Sequence, residues 1–373
     1  MMSYLISHGA GRALRVALLT MVFAGFIPEV AQCASQDLLN TPAGHDLRAE
    51  HAVLIAISRA GDRLVAVGER GIVLLSDDNG VTWRQGRSVP SSVALTAVTF
   101  VDADNGWAVG HGGVVLHTRD GGETWVKQLD GNLAAQLELQ SAQAMAERDP
   151  QGSQRRLAAA QQLVADAADK PFLAVYFSSP EKGLVVGAYG LAMLTEDAGA
   201  HWHSIGADLE NPGGMHLYSI LGDRETLLIA GEQGMLLRGS ALGHPFTKVK
   251  SPYHGTWFGA VSAQPGRELV FGLKGNAYGL DDGNQWAVAD TGERTTLTAG
   301  KKLADGSILL ASEGGRLLRS NDQGRHFEIV SAKELDGSAI TDVIQATDGS
   351  VVVTSIRGVK RLSPTAIGRE ITQ

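Results

Sequence analysis

Residues 106–125, GWAVGHGGVVLHTRDGGETW, read as strand, tight turn, strand, second tight turn and the start of another strand. The first turn is Gly110-His-Gly-Gly113 and the second is Thr118-Arg-Asp120-Gly-Gly122-Glu-Thr-Trp125, an S/T-x-D-x-G-x-x-W pattern. Its chemistry is local. A short hydroxyl and a carboxylate two residues later cap backbone N–H groups of the turn. The glycine supplies a backbone conformation that other residues resist, and the aromatic ring drops into the core beside the hairpin.

The pattern, known as the Asp-box, returns along the chain. Ser76–Trp83 precedes the stretch, and Thr195–Trp202 and Ser320–Phe327 follow it. Gly279–Trp286 lacks only the hydroxyl, whereas Gly239–Phe246 has lost the aspartate. A glycine turn stands before each box, and its second glycines are Gly71, Gly113, Gly190, Gly234, Gly275, Gly315 and Gly358. Their spacing is close to 42 residues except between Gly113 and Gly190. Two series in phase predict an all-β, seven-bladed β-propeller over residues 35–373, each blade a meander of four short strands. In that fold Asp78, Asp120, Asp197, Asp281 and Asp322, with Trp83, Trp125, Trp202, Trp286 and Phe327, are structural, because a device repeated in every blade builds turns rather than sites. The seventh blade reaches only its third strand. Its fourth is expected from residues 35–40 or 367–371, with the N-terminal segment favoured.

The long interval is an insertion of a different kind. Residues 131–169 lack β-character and are rich in alanine, glutamine, leucine and glutamate. Ala134, Leu137, Ser141 and Ala144 recur at helical spacing, as do Leu157, Ala160, Val164 and Ala167, with a turn at Asp149-Pro150 between them. The expectation is a helical hairpin between blades 2 and 3, with its stripes free for a partner helix or folded flat on the propeller rim.

Residues 1–34 read as an export signal: Arg12 and Arg15 precede a short apolar run, Val16–Ile27, and a small-residue region. An exported, periplasmic protein is expected, with lipid attachment through Cys33, the single cysteine, as the alternative. The net charge of −8 and the lack of a basic run argue against nucleic acid as a partner.

Strand direction alternates within a blade, so the insertion and the glycine turns share one face and the Asp-boxes lie on the other. Variation is concentrated on the glycine-turn face, where function is expected. Its candidate partner-binding residues are Arg70, His111, Tyr189, Gln233, Lys274 and Arg357, joined by Arg148, Arg155 and Arg156 near the hairpin tip. His216, Tyr253 and His254 stand near the starts of inner strands, at the channel mouth. His201 and His203 are a weak metal pair, with solvent-facing histidines on an outer strand the plainer reading. No phosphate loop, dinucleotide fingerprint or nucleophile elbow is present in the sequence. Neither a cofactor, a metal nor a catalytic residue is expected.

The Asp-box is shared with sialidases and other BNR-repeat proteins. With the export signal and the G-x-x-G turns, residues 50–363 more closely resemble the photosystem II assembly and stability factor family. That resemblance implies a non-enzymatic scaffold that binds a membrane protein or membrane complex. The helical insertion resembles a secreted branch from non-photosynthetic bacteria, which implies a partner such as an RND-type transporter. The alternative is a sialidase-like glycoside hydrolase. Sialidases need an arginine triad and a Tyr–Glu pair, and this repeat gives no way to choose them.

Overall fold

Seven antiparallel sheets follow one another along the chain in the computed structural model, which describes residues 37–222, 226–240, 245–281 and 285–367. Six have four strands and the seventh has three, and strand order follows chain order in every one. The export-signal segment and Cys33 lie outside the described residues. Second strands such as Arg63–Gly68 and Val351–Ser355 are buried over nearly their whole length, because each sheet is covered on both faces by its neighbours.

The first strand of each sheet packs against the first strand of the next, and the last of them, Ile340–Gln345, packs against Leu54–Ala60. The ring therefore closes on itself. All seven inner strands carry one irregularity near their start, where a single residue drops out of the ladder. Such a bulge turns a side chain away from its sheet. In blades 2, 6 and 7 the displaced residue is a threonine whose Oγ1 donates to the next inner strand. Thr96 reaches Phe172 O at 2.6 Å, Thr298 reaches Ile340 O at 2.7 Å and Thr341 reaches Leu54 O at 2.7 Å. At the closing seam Asp342 Oδ2 also accepts from Ile57 N at 2.9 Å.

The four intact Asp-boxes form the same turn. Thr118 Oγ1 donates to Asp120 Oδ1 at 2.8 Å and accepts from Gly122 N at 3.0 Å. Asp120 in turn accepts from Thr124 N at 2.9 Å. Ser76, Thr195 and Ser320 make the equivalent bonds with Asp78, Asp197 and Asp322. His201 and His326 place Nδ1 against the box carboxylates at 2.7 and 2.6 Å. His201 is thus a partner of the turn rather than half of a metal pair with His203. Asp281, in a decayed box, takes a different partner: it accepts from the buried Arg267 at 2.8 Å.

Two expectations need correction. Residues 37–40 do not complete the seventh blade: they form a turn against blades 1 and 2, where Leu38 O accepts from Ser92 N at 2.9 Å and Leu39 enters the core. The C-terminal alternative falls largely outside the described residues, and Ile367 is buried with the core of blades 6 and 7. The second correction concerns the insertion. Its helices, α1 (Gly131–Arg148) and α2 (Gln154–Ala165), bury Ala134, Ala135, Glu138, Ala142, Ala160 and Leu163. Ala144, Val164 and Ala167 face solvent instead. The buried stripe is shifted because it contains a charge, Glu138, which an apolar count passes over.

Candidate docking surface

Each glycine turn ends a second strand and carries its middle residue outward. Arg70, Tyr189, Gln233 and Lys274 occupy that position with φ between 54° and 58°, a left-handed conformation that costs a non-glycine residue about 1 kcal/mol. All four side chains are exposed. In blade 2 the equivalent residue is Gly112, so His111, though exposed, stands one position earlier in its turn than Arg70, Tyr189, Gln233 and Lys274 do in theirs. Arg357 is also exposed, but on a two-residue hairpin between Ser355 and Gly358. In blades 1, 4 and 6 the turn is tied to the inner strand by a glutamate. Glu69, Glu232 and Glu313 accept from Val53 N, His216 N and Thr296 N at 2.8–3.0 Å.

The inserted hairpin is seated on this surface by backbone contact and by one polar lock. Asp130 caps α1 by accepting from Asn132 N and Leu133 N. The blade 2 turn approaches Gly131 so closely that a Cβ on Gly113 would lie 2.6 Å from its Cα. Glu138 accepts from Arg156 at 2.9 and 3.1 Å and from the hydroxyl of Ser204 on the outer strand of blade 3. Arg156 also donates to Ser141 Oγ at 3.0 Å. Arg156 is therefore an internal strut joining both helices to the blade rather than a free partner-binding group. Arg148 and Arg155 remain exposed.

Between α2 and the loop Gly206–Gly214 runs a groove of about 1100 Å³. Leu163, Leu191 and Leu209 form its apolar floor, Ala159 and Arg155 stand on the helix wall and Tyr189 closes one end. From Tyr189 a row of rings continues inward. His216 lies 4.9 Å from it, Tyr218 lies 6.3 Å beyond and Phe258 a further 5.0 Å. Tyr218 and Phe258 are displaced bulge residues of blades 4 and 5, so the row leads from the groove to the inner strands. Burial, with Glu232 alongside, pushes the Tyr218 hydroxyl above its ordinary pKa.

The structure thus gathers Tyr189, Arg155, Arg156 and His216 on one side of the ring. Arg70, Gln233, Lys274 and Arg357 sit on separate blades, and Tyr253 is engaged through its hydroxyl with Leu273 O at 3.2 Å. Tyr218 and Phe258 escaped the sequence analysis, although each directly follows the first residue of an inner strand and the repeat phase marks that position in every blade. Among the described residues no group of three histidine, cysteine, aspartate or glutamate side chains is placed to hold a metal. No helix there is long and apolar enough to cross a membrane.

No protein-family model matches the chain. The photosystem II assembly lipoprotein Ycf48 of Synechococcus sp. (strain CC9902) is 26% identical to it over 159 residues, 41% of this chain and 46% of that protein. The chain thus spans about half the length of that curated relative. A solved structure described as YCF48 bound to D1 peptide superposes with a TM-score of 0.63 at 15% identity, over 86% of this chain and 98% of the other. This chain is similar to Ycf48 in sequence and in fold. YCF48 from Cyanidioschyzon merolae gives a TM-score of 0.61 at 17% identity, over 85% of this chain and 97% of the other. The WD40 propeller domain of Doa1 superposes at 0.56 with 12% identity, over 87% of this chain and 96% of the other. The structural likenesses establish the propeller fold, and the sequence similarity to Ycf48 covers 41% of this chain.

Proposed function

We propose that this seven-bladed propeller is an exported, non-enzymatic scaffold that binds a membrane protein through its glycine-turn face, with the helical hairpin as one wall of the binding groove. The observation that carries the proposal is the convergence of the chain's departures from its own repeat. The insertion, the exposed left-handed Tyr189 and the ring row all lie on that face, while the opposite face is built from repeated turns. Similarity to Ycf48, named as an assembly protein and solved with a D1 peptide, supports a peptide segment of a membrane protein as the occupant. An apolar floor with a few polar groups on its walls suits such a segment. Export through residues 1–34 and membership of a secreted branch serving RND-type transporters belong to the same proposal.

The test is co-purification from detergent-solubilised membranes. The Ala159→Arg and Tyr189→Ala variants are expected to keep wild-type melting behaviour and lose the membrane partner. Full retention of the partner by both would remove the groove from the function.

A further inference from the structure

The repeat is broken at two adjacent boxes, those of blades 4 and 5, and a basic crevice of about 690 Å³ lies between the outer strands of the same two blades. In blades 1 and 2 the box tryptophan donates to its own turn, Trp83 to Gly80 O at 3.2 Å and Trp125 to Gly122 O at 2.9 Å. Trp286 instead crosses to blade 4 and donates to Lys250 O at 2.9 Å, so its indole walls the crevice. Facing it are Lys248 and Lys250, both exposed, with the intervening Val249 buried. Arg238 lies behind them. Its guanidinium is held by Glu268, and its Nε is buried without a partner among the described residues. No acidic side chain lines the crevice among the described residues. Two glutamates touch its lining from outside: Glu268 holds Arg238, and Glu210 accepts from Lys248 N at 2.8 Å.

We infer that this crevice is a second binding site, separate from the glycine-turn groove, for an extended peptide segment with acidic side chains at alternate positions. The two lysines sit two residues apart, Lys248 ending the outer strand of blade 4 and Lys250 just beyond it, so an extended backbone spaces their Cα atoms by about 7 Å, the interval of same-face side chains on a strand. A segment laid along the edge brings two carboxylates to them, while the indole covers the apolar side chain between. The local positive charge attracts an acidic segment against the repulsion of a chain whose net charge is −8, which restricts such a segment to this crevice.

Fluorescence anisotropy of short fluorescein-labelled peptides tests the assignment on the full chain. A peptide with glutamates at alternate positions is expected to bind, and one of equal charge with adjacent glutamates to bind about tenfold more weakly. The Lys248→Glu/Lys250→Glu variant should lose the alternating peptide and bind its lysine counterpart. The Lys301→Glu/Lys302→Glu variant, matched in charge but altered on an inner strand of blade 6, should bind as wild type. Equal loss in both variants, equal affinity for the two glutamate peptides, or binding of an oligogalacturonate in place of either peptide would overturn the inference. Because no lysine tested lines the glycine-turn groove, this result and the co-purification result stand or fall separately.

Discussion

At the scale of single residues, repetition has a visible chemical cause. Each intact box places one carboxylate against two or more donors of its own turn, and these bonds hold Asp78 and Asp197 down at about 2. Asp120→Ala should cost about 1–2 kcal/mol in chemical denaturation while partner binding persists, because Thr124 N loses its acceptor. His117 gives a pH signature of its own. It is buried and stacked on Trp107 at 4.5 Å, and burial, with Arg119 nearby, lowers its pKa to about 4. The unfolded chain binds this proton near 6.5, so the stabilisation is complete above that pH and is lost as the pH falls towards 4. The unfolding free energy across that window should fall with acid by up to about 3 kcal/mol, measured by chemical denaturation, and His117→Phe should flatten the slope. Asp342 works in the opposite sense. Burial raises it to about 6, so its contribution is complete below 3.8 and is lost as the pH rises through 6. In Asp342→Asn, stability at pH 7 relative to pH 4 should improve.

At the scale of elements, the blades were legible in the sequence because every turn repeats its chemistry at a fixed interval. The hairpin was legible as helix but not in its phase. Glu138 belongs to the buried stripe only because Arg156 and Ser204 satisfy it, and both lie far from it along the chain. The row from Tyr189 to Phe258 was missed for a related reason: it is assembled from three blades, one ring or two at a time. The seventh blade misled because a missing strand invites a terminal segment, whereas residues 37–40 find better burial for Leu39 between blades 1 and 2. Breaking the lock by Glu138→Ala leaves Arg156 without its carboxylate in a mostly buried place and should cost about 2–4 kcal/mol. Glu138→Ala/Arg156→Met should recover part of that loss, measured as a double-mutant cycle in urea. Deletion of residues 131–169 is likewise expected to lower the melting temperature, since the helices cover part of blade 3.

At the scale of the whole molecule, a closed ring separates a uniform face from a variable one, and the separation carries the functional reading. Closure depends on the seam between the seventh and first blades, where Thr341 and Asp342 bond to the first inner strand. Thr341→Val should therefore destabilise the whole ring by about 1–2 kcal/mol in a single unfolding transition. The central claim is that the variable face meets a membrane protein. Site-specific photo-crosslinking from membranes tests it most directly, with a photoreactive side chain in place of Tyr189 on the glycine-turn face or of Gln323, exposed on an Asp-box turn. An adduct with one membrane protein from position 189 and none from 323 is the predicted result; adducts from 323 alone, or equally from both, would contradict it.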